Sequence, residues 1–184
     1  VNRWGGCVMA SIIRGSDDFD TAATLRGIQL GTMVATTSGT SIDFTGIPAG
    51  VRRVTLNFVG VSANASSVHL IQIGDSGGVE TSGYLGSGRN AAQQANFTQA
   101  FGLAGTVDST PAVAVQHGTM TLTLANASTF TWVSTWQGGR SNEAVVLDGA
   151  GSKSLSAVLD RVRLTTVSGS AVFDAGSMNI TWEF

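Results

Sequence analysis

Through most of the chain, apolar and polar residues alternate with a period of two, the pattern of a strand with one buried face. Near the C-terminus Met178, Ile180, Trp182 and Phe184 point one way, and Ser177, Asn179, Thr181 and Glu183 the other. A one-residue slip would turn the whole apolar set toward water, so such a strand is strongly registered. Val54, Leu56 and Phe58 alternate with Arg53, Thr55 and Asn57 in the same manner, and Met120, Leu122 and Leu124 with Thr119, Thr121 and Thr123. Further strands are predicted over residues 68–73, 130–136, 144–147 and 159–167. The 3.6-residue period of an amphipathic helix is nearly absent, which predicts an all-β chain.

Clusters of Gly, Pro, Asp, Asn and Ser predict turns at residues 47–50, 74–78, 137–139, 148–151 and 168–170. Eight or more short strands between such breaks predict an antiparallel β-sandwich of jelly-roll type over residues 31–184. Residues 1–30 are less regular and read as an N-terminal arm that connects or oligomerises. Residues 86–105, centred on Asn90-Ala-Ala-Gln-Gln-Ala-Asn96, read as a long exposed loop.

A length of 184 residues suits one domain with a substantial core. Hydrophobic residues make up 42% and charged residues only 12%, about half the ~25% usual for soluble domains, so the surface is built mainly from uncharged groups. Low charge is easier to tolerate in an oligomer, which points to assembly. The formal net charge is -2 and Lys153 is the sole lysine, so no basic stripe exists to neutralise phosphates, and nucleic acid is excluded as the expected partner. No run reaches the ~18 apolar residues of a membrane-spanning helix, and no membrane insertion is expected. Cys7 stands alone and cannot form a disulfide within one copy.

The string Gly74-Asp75-Ser76-Gly77-Gly78 looks like a serine-protease active site. Acyl transfer, however, needs a histidine that takes the serine proton and a carboxylate that orients it. The chain offers only His69, seven residues upstream on the same predicted strand, and His117 in another strand-like run. The simpler reading is a turn between two strands, so no catalytic residue is assigned. Asp17, Asp18 and Asp20 could offer oxygen ligands to a hard cation, but the glycine and terminal glutamate of a calcium loop are missing. No metal and no cofactor are expected.

Three segments resemble the distal domains of tail fibre and tail-associated proteins of tailed bacteriophages. They are residues 39–62 (GTSIDFTGIPAGVRRVTLNFVGVS), 71–84 (IQIGDSGGVETSGY) and 159–167 (LDRVRLTTV), the last continuing through 173–183 (FDAGSMNITWE). With Asn126-Ala-Ser-Thr129 and Gly139-Arg-Ser-Asn142 between them, the resemblance covers most of residues 31–184. It implies a virion component, made in the host cytoplasm, that works as a homotrimer at a fibre tip. The partners implied are other copies of itself, further tail proteins reached through the arm, and a bacterial surface glycan or protein. A purely structural virion piece, such as a collar, baseplate or decoration protein, is the alternative.

Sugars are gripped by aromatic faces together with planar hydrogen-bonding groups. Two clusters offer both: Trp136, Arg140 and Asn142 around Gly138-Gly139, and Tyr84, Arg89 and Asn90 at the start of the predicted loop. The competing reading puts Trp136 in the core with Trp132 and Phe130, and makes the second cluster an ordinary solvated connection.

Overall fold

The computed structural model describes residues 27–105, 110–167 and 169–184. Cys7, the Asp17, Asp18 and Asp20 cluster and most of the expected arm lie outside the described residues. Among the described residues there are fourteen strands in two antiparallel sheets and no helix, so the chain is all-β. The larger, nine-stranded sheet runs in the order β1 (Gln29–Leu30), β14 (Phe173–Glu183), β4 (Arg53–Ala63), β10 (Gln116–Asn126), β11 (Thr131–Arg140), β12 (Val145–Ser154), β7 (Tyr84–Arg89) and β8 (Gln94–Phe97). Its ninth strand, β2 (Val34–Ala35), pairs with another stretch of β14. The five-stranded sheet runs β3 (Ile42–Thr45), β13 (Arg161–Thr166), β5 (His69–Asp75) and β6 (Gly78–Val79), with β9 (Phe101–Gly102) beside β5. Because β1 pairs with β14, the larger sheet takes in Gln29 and Leu30, which the sequence had assigned to the arm.

The period-two pattern appears in the structure as two faces. Val54, Leu56, Phe58, Met120 and Leu122 are buried in one cluster with Ile71, Ile73, Val162 and Leu164 of the smaller sheet. On β14, Met178 and Ile180 are buried as expected, whereas Trp182 only packs against the core edge and Phe184 is partly exposed. Asn179, placed by alternation on the polar face, is also buried: its Nδ2 donates to Gly31 O (3.0 Å) and its Oδ1 accepts from Ile180 N (2.8 Å). Those bonds satisfy the amide where the chain around Gly31 covers it.

The glycines at 137–139 and 148–151 are not turns but strand interior, and residues 86–105 are not one long loop but most of β7, then β8 and β9, joined by short turns. The reason is close approach across the core. On the inner face, one register row runs Met120, Trp136, Gly149, Gly88 and Ala95, and the next runs Leu122, Ser134, Gly151, Gly86 and Phe97. Large side chains thus give way to four glycines where β12 meets β7. Against them lie β9 and the residues after it: a Cβ on Gly88 would sit 2.5 Å from Ala104 O and 2.7 Å from Gly102 O. One on Gly151 would meet Phe101 at 3.1 Å, and one on Gly138 the Trp136 ring at 2.5 Å. Glycine here serves packing, not chain reversal.

His69 opens β5 in the interior, with Nδ1 2.6 Å from Gln116 Oε1. An amide oxygen only accepts, so Nδ1 carries the proton of a neutral ring. Burial pulls its pKa down to about 4, the Gln116 bond opposes that, and the nearby Arg140 charge adds to it. Two outcomes follow from these contacts. The unfolded ring, near 6.5, binds protons that the folded ring refuses, so stability is complete above pH 6.5 and falls as pH drops toward 4, by roughly 3 kcal/mol in all. Urea titrations across that window should show the decline, and His69→Gln should flatten it. Gly149→Ala, whose Cβ would meet Ser87 O at 2.6 Å, should lower unfolding stability by about 1–3 kcal/mol, read from the same titrations.

Candidate functional site

The protease-like string forms the β5–β6 hairpin, with Asp75 opposite Gly78 and Ser76-Gly77 between them. Asp75 Oδ1 accepts from Gly77 N (2.7 Å) and its Oδ2 accepts from the Ser156 hydroxyl; these two bonds, the hydroxyl first, hold the carboxyl below its usual range. The carboxylate is committed to its turn. At ~3.3 Å per residue, His69 at the far end of β5 lies roughly 20 Å from Ser76. His117 is on the other sheet, where Nδ1 accepts from Gly60 N (3.2 Å). Its proton therefore sits on Nε2, 3.2 Å from Ser141 Oγ, and the ring donates to that serine rather than taking its proton.

The six residues singled out in the sequence go to different places. Tyr84 is buried, with its ring edge-on to Phe101 at 4.9 Å. Its hydroxyl accepts from Ile73 N (2.8 Å) and contacts Ile73 O and Glu80 O, so it ties β7 to the hairpin. Burial, the largest cause, pushes its pKa upward. Beside that ring the inward-pointing Lys153 pairs with Glu80, whose partial burial raises its pKa less than the Lys153 and Ser156 contacts lower it. Trp136 is also core: its ring meets Phe58 edge-on at 5.2 Å and its Nε1 donates to Leu103 O (3.1 Å). Arg140 is buried against Glu143 (2.7 Å) and Thr110. Asn142 is exposed, but its amide clamps the backbone of Val113 and Val115. Tyr84, Trp136 and Arg140 are buried and thus present little surface to a receptor. Asn90 caps the β7–β8 turn by accepting from Ala92 N and Gln93 N. Of the six, Arg89 and the buried Trp136 line an open hollow, Arg89 from the solvent side.

That hollow is an open groove of about 1070 Å³ on the outer face of the nine-stranded sheet. Its floor is two register rows crossing β10, β11, β12, β7 and β8. One row is Thr121, Thr135, Ala150, Ser87 and Asn96; the other is Thr119, Gln137, Asp148, Arg89 and Gln94. Arg89 Nε donates to Asp148 Oδ1 at 2.7 Å, so the only charges lining it cancel. The side chains of Thr119, Thr121, Thr135 and Gln137 make no hydrogen bond to protein among the described residues, nor do those of Ser87, Gln94 and Asn96. Elsewhere on the sheet hydroxyls do pair, as Thr131 does with Thr129 and Ser154 at 2.7 Å each. An adjoining hollow of about 650 Å³ carries the exposed Leu85 and Val133. The groove can therefore donate and accept many neutral hydrogen bonds, with an apolar strip alongside.

No protein-family model matches the chain, and neither a curated protein nor a solved structure matches it. The site is thus argued from geometry. Sequence reading missed its residues because it looked for aromatic rings in loops and treated the threonines of alternating strands as plain solvent-facing positions. The available signal was the Thr119, Thr121, Thr123 run, an all-hydroxyl face.

If Tyr84 is structural, Tyr84→Phe should cost about 1–3 kcal/mol by stranding Ile73 N in the core. Thermal unfolding should register that loss, while any surface binding of the folded protein stays unchanged.

Proposed function

We propose that the chain is the distal domain of a tailed-bacteriophage tail fibre, a virion protein that attaches the particle to its host and acts by binding rather than catalysis. The observation that carries this reading is the outer-face groove, with seven polar side chains that have no protein partner among the described residues and one neutral ion pair. It has the chemistry of a surface for a bacterial glycan. The sequence resemblance supplies the biological setting.

In this reading the two antiparallel sheets are a jelly-roll sandwich and the working form is a homotrimer. Support for assembly comes from the low charge and from Ile28, Leu30 and Met33, exposed apolar residues at the β1 edge of the larger sheet. Edge strands with such residues are normally covered. The same patch favours the second reading, a structural collar, baseplate or decoration protein held in place by its neighbours.

Light scattering on the purified chain should give three times its 18.8 kDa mass, and a monomer at micromolar concentration would overturn the trimer. The protein should bind host cells and block infection. If it does neither, while particles lacking it fail to assemble, the structural reading replaces this one.

A further inference from the structure

We infer that the outer-face groove takes an uncharged glycan carrying methyl groups, a 6-deoxyhexose or N-acetylhexosamine chain, laid across the strands. The inference deepens the attachment reading and rests on it. Its starting point is the direction of the two polar rows, which run perpendicular to the strands. From β10 to β8 there are four strand spacings of ~4.8 Å, so each row is roughly 19 Å long, room for about three or four sugar rings.

The groups on the rows match a polyol. Threonine and serine hydroxyls donate and accept at once, and the Gln137, Gln94 and Asn96 amides add one planar donor and one acceptor each. Vicinal hydroxyls of a sugar present the same mixture, whereas a phosphate or carboxylate chain calls for donors only. Charge argues the same way. The one cation lining the groove, Arg89, is engaged by Asp148 at 2.7 Å, and an anionic ligand would have to break that pair or approach the carboxylate. A neutral ligand can leave it intact and use the Arg89 terminal nitrogens and Asp148 Oδ2, which have no protein partner among the described residues.

The methyl preference comes from the neighbouring row, which runs Thr123, Val133, Ser152 and Leu85 over β10, β11, β12 and β7. Leu85 is 74% and Val133 40% exposed, on the face that also carries the polar rows. A sugar bonded to Thr135 and Ser87 would turn its neighbouring edge toward this strip. A methyl there removes apolar surface from water, while a hydroxymethyl does not. Among the described residues that line the two hollows no aromatic ring is exposed for stacking, since Trp136, Tyr84 and Phe97 are buried. Single-site affinity is therefore modest, and strong attachment requires several copies engaged together.

Glycan binding to the full chain tests this, with four probes: a 6-deoxyhexose oligosaccharide, an N-acetylhexosamine oligosaccharide, an unsubstituted glucan and a polyuronate. One or both methyl-bearing probes should bind better than the glucan and the polyuronate, with affinity constant between low and high salt. Thr135→Ala with Gln137→Ala should weaken binding about tenfold or more at unchanged melting temperature. Leu85→Ser with Val133→Thr should erase the preference over glucan and keep the binding itself. Preference for the polyuronate, steep salt dependence, or binding indifferent to both variant pairs would overturn the assignment. If no probe binds yet the protein still coats host cells, the glycan assignment falls and the attachment reading stands. If host cells are not bound either, both fall.

Discussion

Bare backbone packed against rings and carbonyls between the two sheets is the constraint on which the molecule depends. Gly86 and Gly88 on β7 face Gly151 and Gly149 on β12, so these four inner-face positions carry no side chain. β9 and the residues after it occupy that space, with Phe101 over Gly151 and the carbonyls of Gly102 and Ala104 over Gly88. Interiors are packed to crystal density, so a single added methyl has nowhere to go. The same fit sets the Trp136 ring over Gly138 and Gly118 and lets its indole nitrogen reach Leu103 O. β9 pairs with β5 while lying over β7 and β12, so this contact also joins the two sheets.

Several polar groups taken inside by this packing are matched in pairs, while among the described residues others, such as Trp132 Nε1 and Thr166 Oγ1, are buried without a hydrogen bond. Lys153 points inward from β12 and meets Glu80, the Ser154 carbonyl and the face of Tyr84. Glu80 also accepts from Ser156 N, and Ser156 in turn bonds Asp75 in the β5–β6 turn. A string that resembles a nucleophile motif is thereby used as a joint between sheets. Its aspartate is spent on turn geometry, and its serine faces outward with no histidine beside it. His69 is the costly member of the interior, because its neutral ring is kept only by burial and one amide.

The two faces of the larger sheet divide the work. The inner rows supply the hydrophobic stabilisation that outweighs chain entropy, so the outer rows can carry hydroxyls and amides that do nothing for folding. A groove assembled from five strands is rigid in a way that a loop is not, because each side chain is held at a register position. Arg89 and Asp148 face each other on β7 and β12 and need no residue from outside the sheet to stay neutral.

Much of the fold was legible in the chain. Alternation at Val54, Leu56 and Phe58, at Met120 and Leu122, and at Met178 and Ile180 established strands and their buried faces, because the period of two is a local property of the backbone. The turn at residues 74–78 was legible for the same reason. Where the reading failed, the determinant was distant. Gly138 looks like a turn residue until the Trp136 ring is seen against it, as do Gly149 and Gly151 until β9 is seen there, and Tyr84, Trp136 and Arg140 look like binding groups until Ile73, Leu103 and Glu143 are seen to engage them. The groove was illegible because its rows join residues from Ser87 to Ala150, whose adjacency exists only once β7 pairs with β12 and β12 with β11. By itself the sequence determined the class of structure and which way most strands face, since those depend on neighbours in the chain. Only the tertiary structure decided which glycines pack, which aromatics are buried and which polar groups stay free, since those depend on cross-strand partners.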